Sequence, residues 1–460
     1  MKLIKNLNTI GIALFLLFIA ISCDKNAHEG EVIIPAGNGA LNVELQTEGT
    51  DIPVRTVHLF IFGANDKLQA HEYFDNPAEA GLHATNLPSG HYTVIVIANV
   101  PADFMPPATR ADLPDISLAD FNSWLSEEAE QYPEILTGMA QTELTADEVM
   151  QLSITVKEGT EGITLPVLHL SFSLPQPQLT DYTPAAQQTR AAEAGYILRC
   201  VAEVCFAGTD EVAFHCPLTP TLATDGSGKY LLDLTLNEKK YDLRLWVDYA
   251  PTDSPKADTY YHTDNLKTVT INNAPYMANT DAKDVAYHTQ TAISLPKAGA
   301  EIDIQLQRPL AKYRLIATDV EEYHKLRESN PNDYPPLDDL TVTVQYEGFF
   351  PSSFNVATGK PSDAIGGVGY SQALPSVSAA DKEVQMGSDW ILVNGTESFV
   401  LVTITVADKQ GDTICRIPGV QIDYRRGLLT TVNGKFLTAG KVSGGVNINT
   451  GWGGENIIEF

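Results

Sequence analysis

The stretch His91–Asn99, HYTVIVIAN, decides how this chain is read. A ring residue leads a strand that stops at a polar residue, and the turn Pro88-Ser89-Gly90 stands before it. Tyr241–Asp248, YDLRLWVD, has the same form, and Phe399–Asp408, FVLVTITVAD, repeats it. In the first two, a leucine (Leu87, Leu236) stands five residues before the tyrosine across a short turn. Any β protein contains such hairpins, but three echoes spread along 460 residues favour three sandwich modules in tandem.

Outward from these strands the pattern stays β. Leu41–Leu45 alternates, Val57–Phe62 is closed by Gly63-Ala64-Asn65-Asp66, and Leu165–Leu174 starts at a proline and alternates afterwards. Closely spaced hairpin signals of this kind mark an all-β sandwich. Ser117–Glu130 is the best helix: Ser117 caps it, Asp120 sits at the third position, and Leu118, Phe121, Trp124 and Leu125 form one apolar face. Set into a β domain, it is expected to cover an open end of the sandwich. Thr145–Glu148 predicts one short turn, and Thr318 with Glu321 predicts a capping box for a helix over 318–327. Pro175–Ala194, with three prolines and no apolar period, reads as a linker, and Ser329–Asp339 as a second. These boundaries predict β-sandwiches over 39–176, 192–318 and 338–460, each an all-β domain with short inserted helices.

The N-terminus is of another kind. Lys2 and Lys5 precede an unbroken apolar run from Ile10 to Ile21, followed by Ser22 and Cys23. A basic start, a short apolar core and a small-residue exit mark a secretory signal peptide. As a helix the run reaches about 18 Å, short of a hydrocarbon core of about 30 Å. Ala20-Ile21-Ser22-Cys23 resembles a bacterial lipobox, with Ala20 where leucine is usual. Residues 1–22 are thus expected to be removed, Cys23 to carry acyl chains (palmitate among them) and 23–38 to act as a tether. Ordinary cleavage with an incidental Cys23 is the plainer alternative. Several acyl chains hold a protein stably, since each buried methylene adds about 0.8 kcal/mol.

Net charge is −28, which argues against nucleic acid, whose phosphates need a basic surface. The acids are scattered, as on a solvated surface. Besides Cys23 there are Cys200, Cys205, Cys216 and Cys415, too few for a disulfide scaffold and without a CxxC. Cys205 and Cys216 flank a turn at Gly208–Glu211 and could bridge across a hairpin; buried free thiols are the other reading.

Catalytic patterns are missing: there is no GxSxG, no HExxH and no GxGxxG opening a helix. Gly226-Ser227-Gly228-Lys229 reads as a turn. His71-Glu72 and Tyr261-His262-Thr263-Asp264 come nearest to clusters, but metal ligation needs convergent ligands. Glu321-Glu322 and Asp338-Asp339 read as solvated faces. No catalytic, cofactor or metal residue is expected. A carbohydrate-active enzyme would need two acids distant in sequence. A glycan-binding surface lipoprotein would need exposed aromatic platforms, with Trp390 and Trp452 the candidates.

With its lipobox-like start and tandem sandwiches, the chain resembles the fimbrillin superfamily of Bacteroidetes. ALNVELQTEG, VRTVHLFIFGANDKL and LPSGHYTVIVIAN, within Gly39–Pro175, are similar to the N-terminal domain of its anchoring and accessory subunits. YDLRLWVDY, YYHTDNLKTV, LQRPLAKYRLIATD and VNGKFLT, within Tyr196–Thr438, resemble a fimbrillin-like lipoprotein domain of unassigned role. The resemblance implies transthyretin-like or Ig-like sandwiches in an outer-membrane lipoprotein, held by lipid, that acts in fimbrium (pilus) anchoring, assembly or cell adhesion. Its partners would be other fimbrial subunits, joined by β-strand addition, and host or bacterial surface ligands. Stalk subunits of the family lose a first strand by cleavage after an arginine in the following loop. Gln46–Pro53 contains no arginine, and Arg55 is expected to open the next strand, which favours an uncleaved base or accessory subunit. Val446–Phe460 reads either as a final sheet strand or as a donor strand.

Overall fold

The computed structural model describes residues 38–107, 116–175, 195–378, 380–439 and 456–459. Its first strands are β1 (Asn38–Thr47), β2 (Val57–Phe62), β3 (Leu68–Phe74), β4 (Leu82–Pro88), β5 (Gly90–Ala98), β6 (Leu136–Leu144) and β7 (Val149–Glu158), with one helical turn, α1 (Pro77–Ala80). They hydrogen-bond in the order β3-β2-β5-β6-β7-β1-β4. β6 and β7 pair only through Leu136↔Glu158 and Thr137↔Lys157, and a core of Leu41, Leu59, Ile61, Val94, Val96 and Val156 joins the leaves on either side of that seam.

Side chains alternate across a strand, so Phe60, Phe62, Ile95 and Ile97 point the other way. There they pack on helix α2 (Leu118–Glu128) through Leu118, Phe121 and Leu125. The helix therefore lies on the outer face of β2 and β5, not over an open end as expected. The reason is legible in β2, all six of whose residues are buried: a strand written as a continuous apolar run is one covered on both faces. The cap is as expected, with Ser117 Oγ accepting from Asp120 N at 3.1 Å.

The next strands are β8 (Val167–Ser173), β9 (Tyr196–Phe206), β10 (Val212–Leu218), β11 (Thr221–Leu222), β12 (Tyr230–Thr235), β13 (Lys240–Pro251), β14 (Tyr261–His262), β15 (Val269–Ile271), β16 (Ala286–Ser294) and β17 (Ala300–Gln305). Then come β18 (Leu310–Ala317), helix α3 (Val320–Ser329), β19 (Thr341–Glu347), β20 (Phe349–Asn355), β21 (Lys360–Gly366), β22 (Gly369–Ala373), β23 (Val384–Leu392), β24 (Glu397–Ala407), β25 (Thr413–Arg425), β26 (Leu429–Gly434) and β27 (Asn456–Glu459). Their sheets are β10-β9-β13-β16 with β11-β12-β8-β17, and β22-β19-β24-β25 with β23-β18-β26-β27.

One topology is used three times. The opening strand runs parallel to a late strand of its unit (β1 to β7, β8 to β17, β18 to β26) and antiparallel to β4, β12 or β23 on its other side. The second sheet of each unit reads β3-β2-β5-β6, β10-β9-β13-β16 or β22-β19-β24-β25. The echoed stretches are β5, β13 and β24, the same position in each. The echo has a chemical cause in the first two: Tyr92 donates its hydroxyl to Pro88 O at 2.7 Å, and Tyr241 to Asn237 O at 2.9 Å, each four residues back. These are tyrosine corners, which fix the entry to a strand. Phe399 has no hydroxyl and is 56% exposed.

Two strands lie across the expected boundaries. Val167–Ser173 pairs with Tyr230–Thr235 and Ala300–Gln305, so it opens the second sandwich and does not close the first. Leu310–Ala317 pairs with β23 and β26, so it opens the third. In both places a long connection from the first to the second strand of one sandwich has the composition of a linker. The extra sheet β14-β15-β20-β21 joins insertions of the second and third sandwiches, and a single hydrophobic core runs through both. The capping box expected for α3 is absent. Its N-cap is Asp319, whose carboxylate instead accepts from Leu437 N (3.0 Å), Thr438 N (2.8 Å) and Thr438 Oγ1 (2.8 Å).

Candidate functional site: sheet edges and buried junctions

Cys23 and the tether up to residue 37 fall outside the described residues, and Asn38 already belongs to β1. Arg55 is placed differently from expectation: it lies in the loop before β2, its side chain exposed and paired with Glu134. The loop is tied down, because Arg55 N donates to Asn99 Oδ1 at 2.8 Å and Asn99 Nδ2 donates to Pro53 O and Glu134 O, both at 3.1 Å. Sequence could not show this, since the clamp comes from β5's polar stop, 44 residues on. At the other end, β27 lies parallel to β26, from Thr430↔Asn456 to Asn433↔Glu459, at the edge of its sheet.

Buried polar groups join the sandwiches. At the first junction Asp66, on the β2–β3 turn, accepts from Asn237 Nδ2 (2.5 Å) and Lys239 Nζ (2.8 Å). Burial raises the Asp66 pKa, opposed by the Lys239 charge. Within the second sandwich, Arg199 on β9 faces Asp248 on β13 and binds both of its carboxylate oxygens, at 2.8 and 2.7 Å. Arg199 Nη1 also donates to Asp258 Oδ1 at 2.7 Å, and Trp246 Nε1 donates to Asp248 at 3.1 Å. The insertion between β13 and β16 covers this outer face, as α2 covers that of the first sandwich. At the second junction Lys283 Nζ meets Asp389 Oδ1 at 2.6 Å among the hydroxyls of Tyr276, Tyr346, Tyr313 and Tyr370. No sequence pattern points to this pair, whose members stand 106 residues apart.

The remaining candidates each have an account. Cys205 stands opposite Val212 and Cys216 opposite Ala202, with a register shift between Val212 and Phe214, and both thiols are free. The bridge considered from sequence is therefore not made, because the hairpin register sets the two cysteines apart. Burial pushes both thiols above their ordinary pKa. The Trp390 ring is covered by Arg308 (5.9 Å) and Lys312 (5.3 Å), which removes it as an open sugar platform; Trp452 lies outside the described residues. Glu321 pairs with Lys325, Glu322 with Lys435 and Asp339 with Lys409. A shallow depression of about 850 Å³ lies over β8, β12 and β17, but its His169 bonds Asp233 (2.8 Å) and its Asp303 is held by Lys229 (2.7 Å). Among the described residues no three metal-ligating side chains converge.

His71 of the His71-Glu72 pair contacts His58, Nε2 to Nδ1, at 2.9 Å. His58 Nε2 donates to Pro101 O at 2.9 Å, so its Nδ1 accepts from His71. Burial lowers the His58 pKa, opposed by that bond and by the Asp103 charge; burial and the neighbouring His58 lower His71 to about 4. A histidine held neutral when folded but protonating near 6.5 when unfolded gives stability that is full above pH 6.5. It is lost as pH falls towards 4. Discounted for partial exposure, the loss is about 1–2 kcal/mol. His71→Gln keeps a donor to His58 and should flatten the fall in melting temperature between pH 6.5 and 4. Identical pH profiles for variant and wild type would remove the pair from the account.

Residues 164–459 match the model of a family of unknown function (DUF6562), and the match begins just before β8. No curated protein sequence matches the chain. In part the chain is similar to solved structures. One is a candidate polysaccharide-binding protein from Bacteroides thetaiotaomicron, 11% identical over 55% of this chain and 80% of that one, with a TM-score of 0.33. Another is the tip fimbrial protein of Porphyromonas gingivalis, 11% identical over 56% and 81%, with a TM-score of 0.25. A third is the fimbrial anchor protein of the same organism, 14% identical over 48% and 79%, with a TM-score of 0.19.

Proposed function

The chain belongs to the DUF6562 family of unknown function, and we propose that it is a non-catalytic, lipid-anchored surface subunit of fimbrial type. It is held in the outer membrane through Cys23 and acts in fimbrium anchoring or assembly, or in adhesion. The observation that carries the reading is one sandwich topology used three times, with a short C-terminal strand added at the edge of the third. β-strand addition joins an extended segment of one subunit to an exposed sheet edge of another, and a short C-terminal edge strand is a segment of that kind. The fimbrillin-like motifs fall on the same framework, HYTVIVIAN on β5 and YDLRLWVDY on β13.

The clamp on Arg55 supports an uncleaved subunit. A protease needs extended chain released from its neighbours. Here Asn99 holds both sides of the Arg55–Thr56 bond: its side chain bonds Arg55 N and Pro53 O, and its backbone N–H donates to Thr56 O at 3.1 Å. Peptide mapping of protein taken from its own membrane tests this. The expected result is an acylated Cys23 with Leu41–Arg55 still attached. A new N-terminus at Thr56 would reassign the chain to a stalk subunit whose first strand is removed. The fimbrial role is tested separately with cells lacking the gene: they should shed or lack fibres, or adhere poorly. Normal fibres together with wild-type adhesion would refute it.

A further inference from the structure

The contact between Lys283 and Asp389 is a buried ion pair that spans two sandwiches. Lys283 lies in the connection between β13 and β16 of the second sandwich, and Asp389 on β23 of the third. Their side chains are 4% and 0% exposed. Nζ sits 2.6 Å from Oδ1. The other carboxylate oxygen, Oδ2, accepts from the Tyr276 hydroxyl at 2.5 Å and the Tyr346 hydroxyl at 2.7 Å. Oδ1 also accepts from the Trp390 backbone N–H at 2.8 Å. The ring of Tyr276 lies 4.2 Å from Nζ, and Phe350 packs against both tyrosines.

We propose that Lys283 and Asp389 condense to an amide, a covalent cross-link between the second and third sandwiches. Two features favour it. Two charges taken out of water each carry a desolvation penalty of several kcal/mol, and an amide removes both charges. Groups held in contact react with effective concentrations of about 10⁵–10⁸ M. Burial lowers the Lys283 pKa, opposed by Asp389, and so favours the neutral amine that attacks. Tyr276 and Tyr346 have pKa values raised well above 10.0 by burial and by Asp389, so they remain hydrogen-bond donors.

The step balances without another reactant. The ammonium of Lys283 passes one proton to Oδ1. The neutral amine then attacks Cγ, and negative charge collects on Oδ2 between the two tyrosine hydroxyls, which act as an oxyanion hole. The Cγ–Oδ1 bond breaks and Oδ1 leaves as water, taking a second proton from nitrogen. The third proton stays on the amide nitrogen. A bond at this place would transmit a pull on one sandwich directly to the next.

The test is a tryptic map of the folded full-length chain. If the cross-link forms, residues 268–297 and 383–409 elute as one branched species, lighter by one water than the two peptides together. Cleavage after Lys283 is blocked. Lys283→Arg keeps the positive charge and cannot form the amide, so the branched species should vanish. Wild-type protein that yields 268–283, 284–297 and 383–409 as separate, unmodified peptides would overturn the proposal. So would a branched species that persists in Lys283→Arg, since the link would then lie elsewhere. The wild-type map is decisive even where the variant does not fold.

Discussion

Replacing Asp248 with alanine lowers the stability of the two-sandwich unit by about 3–5 kcal/mol, the range for a buried ion pair broken on one side. Arg199 is 1% exposed, and its guanidinium is always charged at physiological pH. Without Asp248 it keeps only Asp258 and the Lys256 carbonyl as partners. The Trp246 indole N–H loses its acceptor in the same step. On a domain of this size the change corresponds to a fall in melting temperature on the order of 10 °C. The double variant Arg199→Met with Asp248→Leu separates the cost of a stranded charge from the value of the pair, because apolar replacement of both partners is often neutral. A single variant that melts within about 2 °C of wild type would show that solvent reaches Arg199.

This network also shows where sequence reading stops. In YDLRLWVDY the residues Asp242, Arg244, Trp246 and Asp248 share one face of β13, three of them charged, and alternation does not say what covers that face. Arg244, Trp246 and Asp248 are buried there, because the insertion after β13 folds back over the strand and supplies Asp258. Local features were legible: the alternating strands, the Ser117 cap, and the repeated strand that occupies β5, β13 and β24. Features fixed by distant pairing were not. Pro175–Ala194 and Ser329–Asp339 have the composition of linkers, yet each follows the opening strand of a sandwich, and only pairing with β17 or β26 shows which unit that strand joins. The Cys205–Cys216 register depended on a bulge in β10, and the cap of α3 on backbone more than a hundred residues later. In each case the missing term is the partner strand, which side-chain periodicity does not name.

Phe121→Ala should act on the other half of the molecule. Phe121 is fully buried under α2 against the outer face of β2 and β5, with ring centroids 4.7 Å from Phe60, 5.2 Å from Phe62 and 5.4 Å from Trp124. Truncating such a ring costs about 3–5 kcal/mol, part of it the cavity left beneath α2. The first sandwich has cores of its own, while one core runs through the second and third. Its ties to them are narrow, chiefly Asp66 with Asn237 and Lys239, and Ala119 of α2. Calorimetry should therefore resolve two transitions, with Phe121→Ala moving one of them down by on the order of 10–20 °C and Asp248→Ala moving the other. If both variants instead shift one common transition, the buried Asp66 junction couples all three sandwiches into a single cooperative unit. A pull on the chain would then have to break that junction before any sandwich opens.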